Sequence, residues 1–279
     1  MVYKKIPDAA GGMWELPAYA KKPNDWKSSD KRGALIHIHY GGTRVGDHLP
    51  HLDYYASRGL MAMAIDYRNS KKTRDVVADA RSAVRWVRGH AVDLGIDPEH
   101  IAVAGESVGA YLAACTGTIP ASAFEEDPQD DVKVSCRPNV LLLYYPVMMD
   151  STWSGKGDLA PLHFIDADTP PTLYVAGEAD VHLPIDGYKW RDLMAKAGKQ
   201  PCEFIILRGV GNEKILRIKT SPTANDIVRQ SDLFLARHGF LRGPPTLADI
   251  SGGKDLHVDP AAWKPNEQQQ KIIEKSGRH

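Results

Sequence analysis

Cysteine is scarce in this chain, with three in 279 residues: Cys115, Cys136 and Cys202. An odd number with no CxxC spacing argues against a disulfide framework and gives no zinc pattern; the three read as core fillers. Net charge is lacking too, because 35 Lys plus Arg balance 35 Asp plus Glu. The chain therefore has no electrostatic footprint for nucleic acid or an anionic membrane surface. No apolar run approaches the ~20 residues that span a bilayer. The first residues also lack the roughly 7–15-residue apolar core of a signal peptide. Cytoplasm is the default expectation on that ground, and a secreted protein with its leader removed reads the same. No internal repeat is present. What remains, 43% hydrophobic and 25% charged residues, is ordinary globular composition. The expected partner is a small molecule, and nothing in the sequence indicates an oligomeric state.

Short apolar runs alternate with helical periods over most of the length. Strands are expected at Ala34–His39, Leu60–Ile65, Ile101–Ala104, Val140–Tyr145, Thr172–Ala176 and Glu203–Leu207, each brief and bounded by turn residues. Between Thr73 and Leu94, Val76, Ala80, Ala83, Val84, Val87 and Ala91 recur at three- and four-residue steps, which is an amphipathic helix with one face on a core. Further helices are expected near Ser107–Gly117, Asp186–Ala197 and Ala224–Arg237. Alternation of this kind implies an α/β fold with a mainly parallel sheet covered on both faces. Ligands of such sheets bind at the carboxyl ends of the strands. Residues 1–32 lead into this domain, 33–240 form it, and 241–279 are a polar extension that either wraps it or is partly disordered. Segments 120–138 and 148–171 break the rhythm. They are either plain surface connections or the rim of a pocket.

The strongest local signal is Gly105-Glu106-Ser107-Val108-Gly109, directly after an expected strand and before an Ala-rich helix. In that context G-x-S-x-G is a sharp, strained turn that presents a nucleophilic serine. Side chains at 105 and 109 would collide with the flanking strand and helix. The helix N-terminus aims free N–H groups at charge developing near Ser107. Upstream, Tyr40-Gly41-Gly42 follows the first strong strand, where an oxyanion-binding loop belongs. Gly41 and Gly42 can bring their N–H groups close to a substrate, and the Val108 N–H would complete the hole. Each such donor contributes about 3–4 kcal/mol to an acyl-transfer transition state. Read alone, Gly41-Gly42 is an ordinary turn. A third element is Leu173 to Gly177 followed by Glu178-Ala179-Asp180. Asp180 stands where an acid would fix an imidazole tautomer and stabilise the imidazolium.

With these motifs in place, residues 33–240 resemble the esterase and lipase branch of the α/β hydrolases. That branch includes hormone-sensitive-lipase-like and acetylxylan- or feruloyl-esterase-like enzymes. The resemblance extends to Asp66-Tyr67-Arg68, Leu94-Gly95-Ile96-Asp97-Pro98 and Pro161-Leu162-His163-Phe164. It implies hydrolysis of a small or medium carboxylic ester through an acyl-enzyme on Ser107, with no cofactor or metal. It also implies structural roles for His39, Asp66 and Arg68. Tyr40 and His182 are candidate pocket residues.

One position departs from the pattern. The turn after the last expected strand should carry a histidine, and it reads Arg208-Gly209-Val210-Gly211-Asn212. Asn212 has no proton affinity near neutral pH and cannot take the Ser107 proton. Three readings accommodate this. The chain is a disabled variant of an active esterase, a natural non-catalytic small-molecule binder, or an enzyme that recruits His182 as base.

Overall fold

The computed structural model describes residues 1–7, 12–41, 49–70, 72–148, 159–181, 183–198, 200–211 and 221–276. Within them the chain runs β1 (Val2–Pro7), β2 (Met13–Lys21), β3 (Arg32–Ile38), α1 (Leu49–Ser57), β4 (Met61–Ile65), α2 (Thr73–Gly89), α3 (Ala91–Leu94), β5 (Ile96–Glu106) and α4 (Val108–Thr118). It continues through β6 (Val140–Tyr144), β7 (Thr172–Gly177), α5 (Leu183–Ala197), β8 (Cys202–Leu207), α6 (Pro222–Arg237), β9 (His257–Val258) and α7 (Glu267–Ser276). Among the described residues the nine strands form one sheet in the order β1-β2-β4-β3-β5-β6-β7-β8-β9. Strands β4, β3, β5, β6, β7 and β8 pair in parallel.

The central strands are short apolar runs because both faces are covered. Every residue of β4, β6 and β7 is buried, as a parallel sheet under two helical layers requires. Strand β2 alternates instead, with Leu16 and Ala18 buried and Trp14 and Tyr19 exposed. With β1 it forms an antiparallel edge. All eleven residues of α4 are buried, so this Ala-rich helix is enclosed between the sheet and its neighbours.

Helix α2 is covered on a second side as well. Asp79, Arg81, Ser82 and Arg85, which fill the gaps in its apolar stripe, are buried. Lys4 Nζ reaches Asp79 at 3.1 Å and Asp127 at 2.6 Å. Glu126 pairs with Arg81 and, at 2.7 Å, with Arg85, which also meets Asp130 at 3.2 Å. These acids belong to segment 120–138. That segment joins the carboxyl end of α4 to the amino end of β6 and is tied down along α2, with Asp127 also 3.9 Å from Arg68 in the loop after β4. Of segment 148–171, residues 149–158 lie outside the described residues. The remainder is anchored on α4, whose Tyr111 hydroxyl donates to the Leu159 carbonyl at 3.0 Å.

The polar extension wraps the domain. Strand β9 pairs antiparallel with β8, placing His257 opposite Leu207. His257 Nε2 lies 2.6 Å from Asp226 on α6, and Trp263 stacks on Tyr188 of α5 at 5.2 Å. Cys115 and Cys136 are buried and Cys202 is half-buried, all three as free thiols. Burial pushes Cys115 and Cys202 up to about 12, so they are inert fillers. Among the described residues, no helix is long and apolar enough to cross a membrane.

Candidate active site

Ser107 sits between β5 and α4 with φ 52° and ψ −115°. Among the described residues it and Tyr145 are the non-glycines with positive φ, a conformation costing about 1–3 kcal/mol that surrounding structure must enforce. The enforcement is visible. The Ser107 N–H donates to the Tyr144 carbonyl on β6 at 2.9 Å, and its carbonyl accepts from the Tyr111 N–H at 3.0 Å. The flanking glycines are required by contact. A Cβ on Gly109 would lie 2.1 Å from the Ile38 carbonyl oxygen, and one on Gly105 would lie 2.3 Å from the Gly109 carbonyl carbon. The elbow therefore presses directly on the end of β3. Ser107 is half-buried at the N-terminus of α4, whose first N–H groups have no partner within the helix.

The loop expected to bind an oxyanion begins at the end of β3. A Cβ on Gly41 would meet Val108 Cγ2 at 3.5 Å, so the Gly41 backbone abuts the residue after the nucleophile. Gly42 lies outside the described residues. His39 fixes the start of this loop. Its Nδ1 lies 2.8 Å from the Tyr40 carbonyl. Its Nε2 faces Asp66 at 3.4 Å, and its ring stacks on Tyr67 at 4.5 Å. Arg68 pairs with buried Asp79 at 2.5 Å. His39, Asp66 and Arg68 are scaffold. Tyr40 is half-buried at the mouth of the loop.

Asp180 follows β7, two strands from β5 in the sheet order. At about 4.8 Å per strand, that offset is roughly 10 Å, a gap that one side chain hydrogen-bonded at both ends can bridge. The turn is laced to the loop after β8. Ala179 N–H donates to Val210 O at 2.8 Å, and the Glu178 carboxylate accepts from Gly209 N–H at 2.7 Å. A Cβ on Gly177 would lie 2.3 Å from Val210 O and 2.6 Å from Gly211 O. The chain thus enters position 212 from beside the acid turn. Asn212 and His182 themselves lie outside the described residues. His257, which the fold brings to the carboxyl end of β8, is four strands from β5. That is roughly 19 Å, too far to exchange a proton with Ser107 directly. Among the described residues no group of His, Cys, Asp and Glu side chains is arranged to hold a metal ion.

Comparison with known proteins bears on the family of the chain. A family model described as BD-FAE matches residues 23–147. Esterase 2 of Thermogutta terrifontis, solved as a conjugate phosphoramylated by tabun, is 33% identical with a TM-score of 0.77, over 87% of this chain and 95% of that one. The same esterase has been solved with propionate and with butyrate bound. "Probable carboxylic ester hydrolase LipM" of Mycobacterium tuberculosis is 25% identical over 58% of this chain and 44% of its own length. Ethyl acetate hydrolase of Pseudomonas putida is 34% identical over 35% of this chain and 33% of its own. The matched region thus spans less than half of either curated relative. At 33% identity over 95% of a solved esterase, the chain belongs to the esterase family of the α/β hydrolases.

Proposed function

We propose that the chain is a serine carboxylesterase scaffold for esters of small or medium acyl groups, strongly impaired at its base position. Ser107 Oγ attacks the ester carbonyl. The oxyanion rests on the N–H groups of Gly41, Gly42 and Val108. Collapse expels the alcohol and leaves an acyl-enzyme, which water then cleaves to the free acid. Asp180 is the triad acid. The proton released from Ser107 needs an acceptor that can return it to the leaving alcohol, and Asn212 is no such acceptor. Removing a triad base costs on the order of 10⁶-fold in kcat, roughly 8 kcal/mol. Oxyanion hole and binding retain about 10³–10⁴ over water.

The observation that carries this reading is the backbone of Ser107, strained to φ 52° with Gly41 against Val108. Strain of this kind concentrates at active sites and ligand clamps, and here it falls on a serine inside a G-x-S-x-G turn. The propionate- and butyrate-bound states of the Thermogutta esterase support a short acyl group. Asn212 itself favours a second reading, a non-catalytic binder of small carboxylic esters.

Turnover of p-nitrophenyl acetate by the chain, by Asn212→His and by His182→Ala separates these. The impaired esterase keeps its slow residual rate in His182→Ala, and Asn212→His raises it by at least about 10³-fold, a gain that adding Ser107→Ala removes. A chain that Asn212→His fails to accelerate would establish the binder. A fast chain silenced by His182→Ala would make His182 the base.

A further inference from the structure

The acid turn is held from two sides, and the second side comes from the far end of the sequence. Helix α7 starts with a capping box. Asn266 Oδ1 accepts from the Gln268 and Gln269 N–H groups at 3.0 Å each, and the Gln269 side-chain oxygen accepts from the Asn266 N–H at 2.7 Å. Such a box occupies only the oxygen of the third-position side chain. In Gln269 the remaining amide N–H₂ group points out of the helix. Its Nε2 lies 2.6 Å from the Asp180 carbonyl and 3.1 Å from that of Glu178. Gln269 is 1% exposed, so these bonds are sheltered from water and every polar atom of the amide is used.

From this we infer that Gln269 is a positioning residue for the acid of the triad, an inference that rests on the reading of Asp180 given above. Among the described residues the backbone at 178–180 is held by the end of β8 and the loop after it, through Leu207, Val210 and Gly209, and by the Gln269 amide. The Gln269 amide belongs to the polar extension, which is bound to α5 and α6 as well as to β8. Gln269 therefore sets where the Asp180 carboxylate stands relative to the base loop, and acts on the reaction only through Asp180. A misplacement of about 1 Å at such a site costs about 10²-fold in rate.

Gln269→Glu keeps the oxygen that completes the capping box and loses the N–H₂ donor; Gln269→Leu loses both. In the full chain, hydrogen–deuterium exchange at Ala179 and Asp180 is expected to rise in both variants while exchange at the elbow stays unchanged. Unchanged exchange in the acid turn would overturn the proposal without any activity measurement. In the Asn212→His background, kcat for p-nitrophenyl butyrate is expected to fall about 10- to 100-fold with KM within about twofold. The acidic limb of the pH profile should move to lower pH as the introduced imidazole loses its carboxylate. A purely structural role would lower the melting temperature and leave kcat per titrated site and the pH limb in place. In Asp180→Asn the Gln269 substitutions should cost nothing further, and an equal loss there would refute action through Asp180. If Asp180→Asn itself costs less than tenfold, against the roughly 10⁴-fold of a triad acid, the assignment of the acid fails instead.

Discussion

Gly109→Ala adds one methyl group where the elbow meets β3. The new Cβ would stand 2.1 Å from the Ile38 carbonyl oxygen and 2.5 Å from that of His39, against the 3.0 Å below which real Cβ contacts essentially never fall. Something must move by about 0.9 Å, the difference between 3.0 and 2.1 Å. Ile38 cannot yield easily, because it pairs with Ile65 on one side and Gly105 on the other. The displacement falls on α4 and the loop at Gly41, which carry two of the proposed oxyanion donors. Helix propensity alone favours Ala by about 1 kcal/mol, and overpacking costs about 1–3 kcal/mol. The net loss is therefore up to about 2 kcal/mol, a fall in Tm of several degrees at most. Activity should suffer more than stability, because losing one oxyanion donor costs about 10²–10³-fold in kcat. The assay is thermal unfolding together with p-nitrophenyl acetate kinetics in the Asn212→His background. Gly89→Ala serves as the control, because a Cβ there meets nothing within 4 Å; it should gain about 0.4–1 kcal/mol. A Gly109→Ala protein as active as its parent would refute the close-approach reasoning.

Two further predictions concern pH. Burial alone would raise the Glu126 carboxyl, but hydrogen bonds from Arg81 and Arg85 outweigh it and hold the group at about 2. A depressed folded-state value stabilises above the unfolded value of about 4.3 and is lost as pH falls toward 2. The chain should therefore lose roughly 2–3 kcal/mol between pH 5 and 2 that Glu126→Gln does not lose. Parallel denaturation curves for the two proteins would contradict it. Hydrogen bonding to Asp226, opposed by burial and assisted by its charge, raises His257. That stabilisation is complete below the unfolded value of about 6.5 and is lost as pH rises through the higher folded value. The ring is 37% exposed, so the effect is under about 1 kcal/mol. Asp226→Asn should flatten the decline in Tm just above neutral pH, and an unaltered decline would disprove the link.

The central sheet and the elbow were legible because burial on both faces writes itself as unbroken apolar runs and because close backbone approach demands glycine. The strand expected at 172–176 extends one residue further, to Gly177, and the one expected at 101–104 is the inner part of an eleven-residue strand, Ile96–Glu106. What could not be read depends on partners distant in sequence. Strands β1 and β2 carry Lys4, Glu15 and Lys21 among apolar residues, a mixture that becomes a sheet edge only once β4 is beside it. The charges on α2 looked like fillers of its gaps because their acids arrive from segment 120–138. That segment's polarity is compatible with a surface connection or a pocket rim, and nothing local marks Glu126 and Asp130 as counter-charge for Arg81 and Arg85. The capping signal Asn266…Gln269 was present in the sequence. The use of its spare amide at Glu178 and Asp180 follows only from the path of the extension, which nothing in a polar, Pro- and Gly-rich stretch encodes locally.

The central claim is that a complete esterase apparatus surrounds a position where Asn212 replaces the base. Its most direct test is kcat/KM for p-nitrophenyl butyrate in the chain and in Asn212→His, with active sites titrated in both. The account predicts a rise of at least about 10³-fold, against the roughly 10⁶-fold that a triad base controls, abolished again by Ser107→Ala. A rise below about tenfold would contradict it.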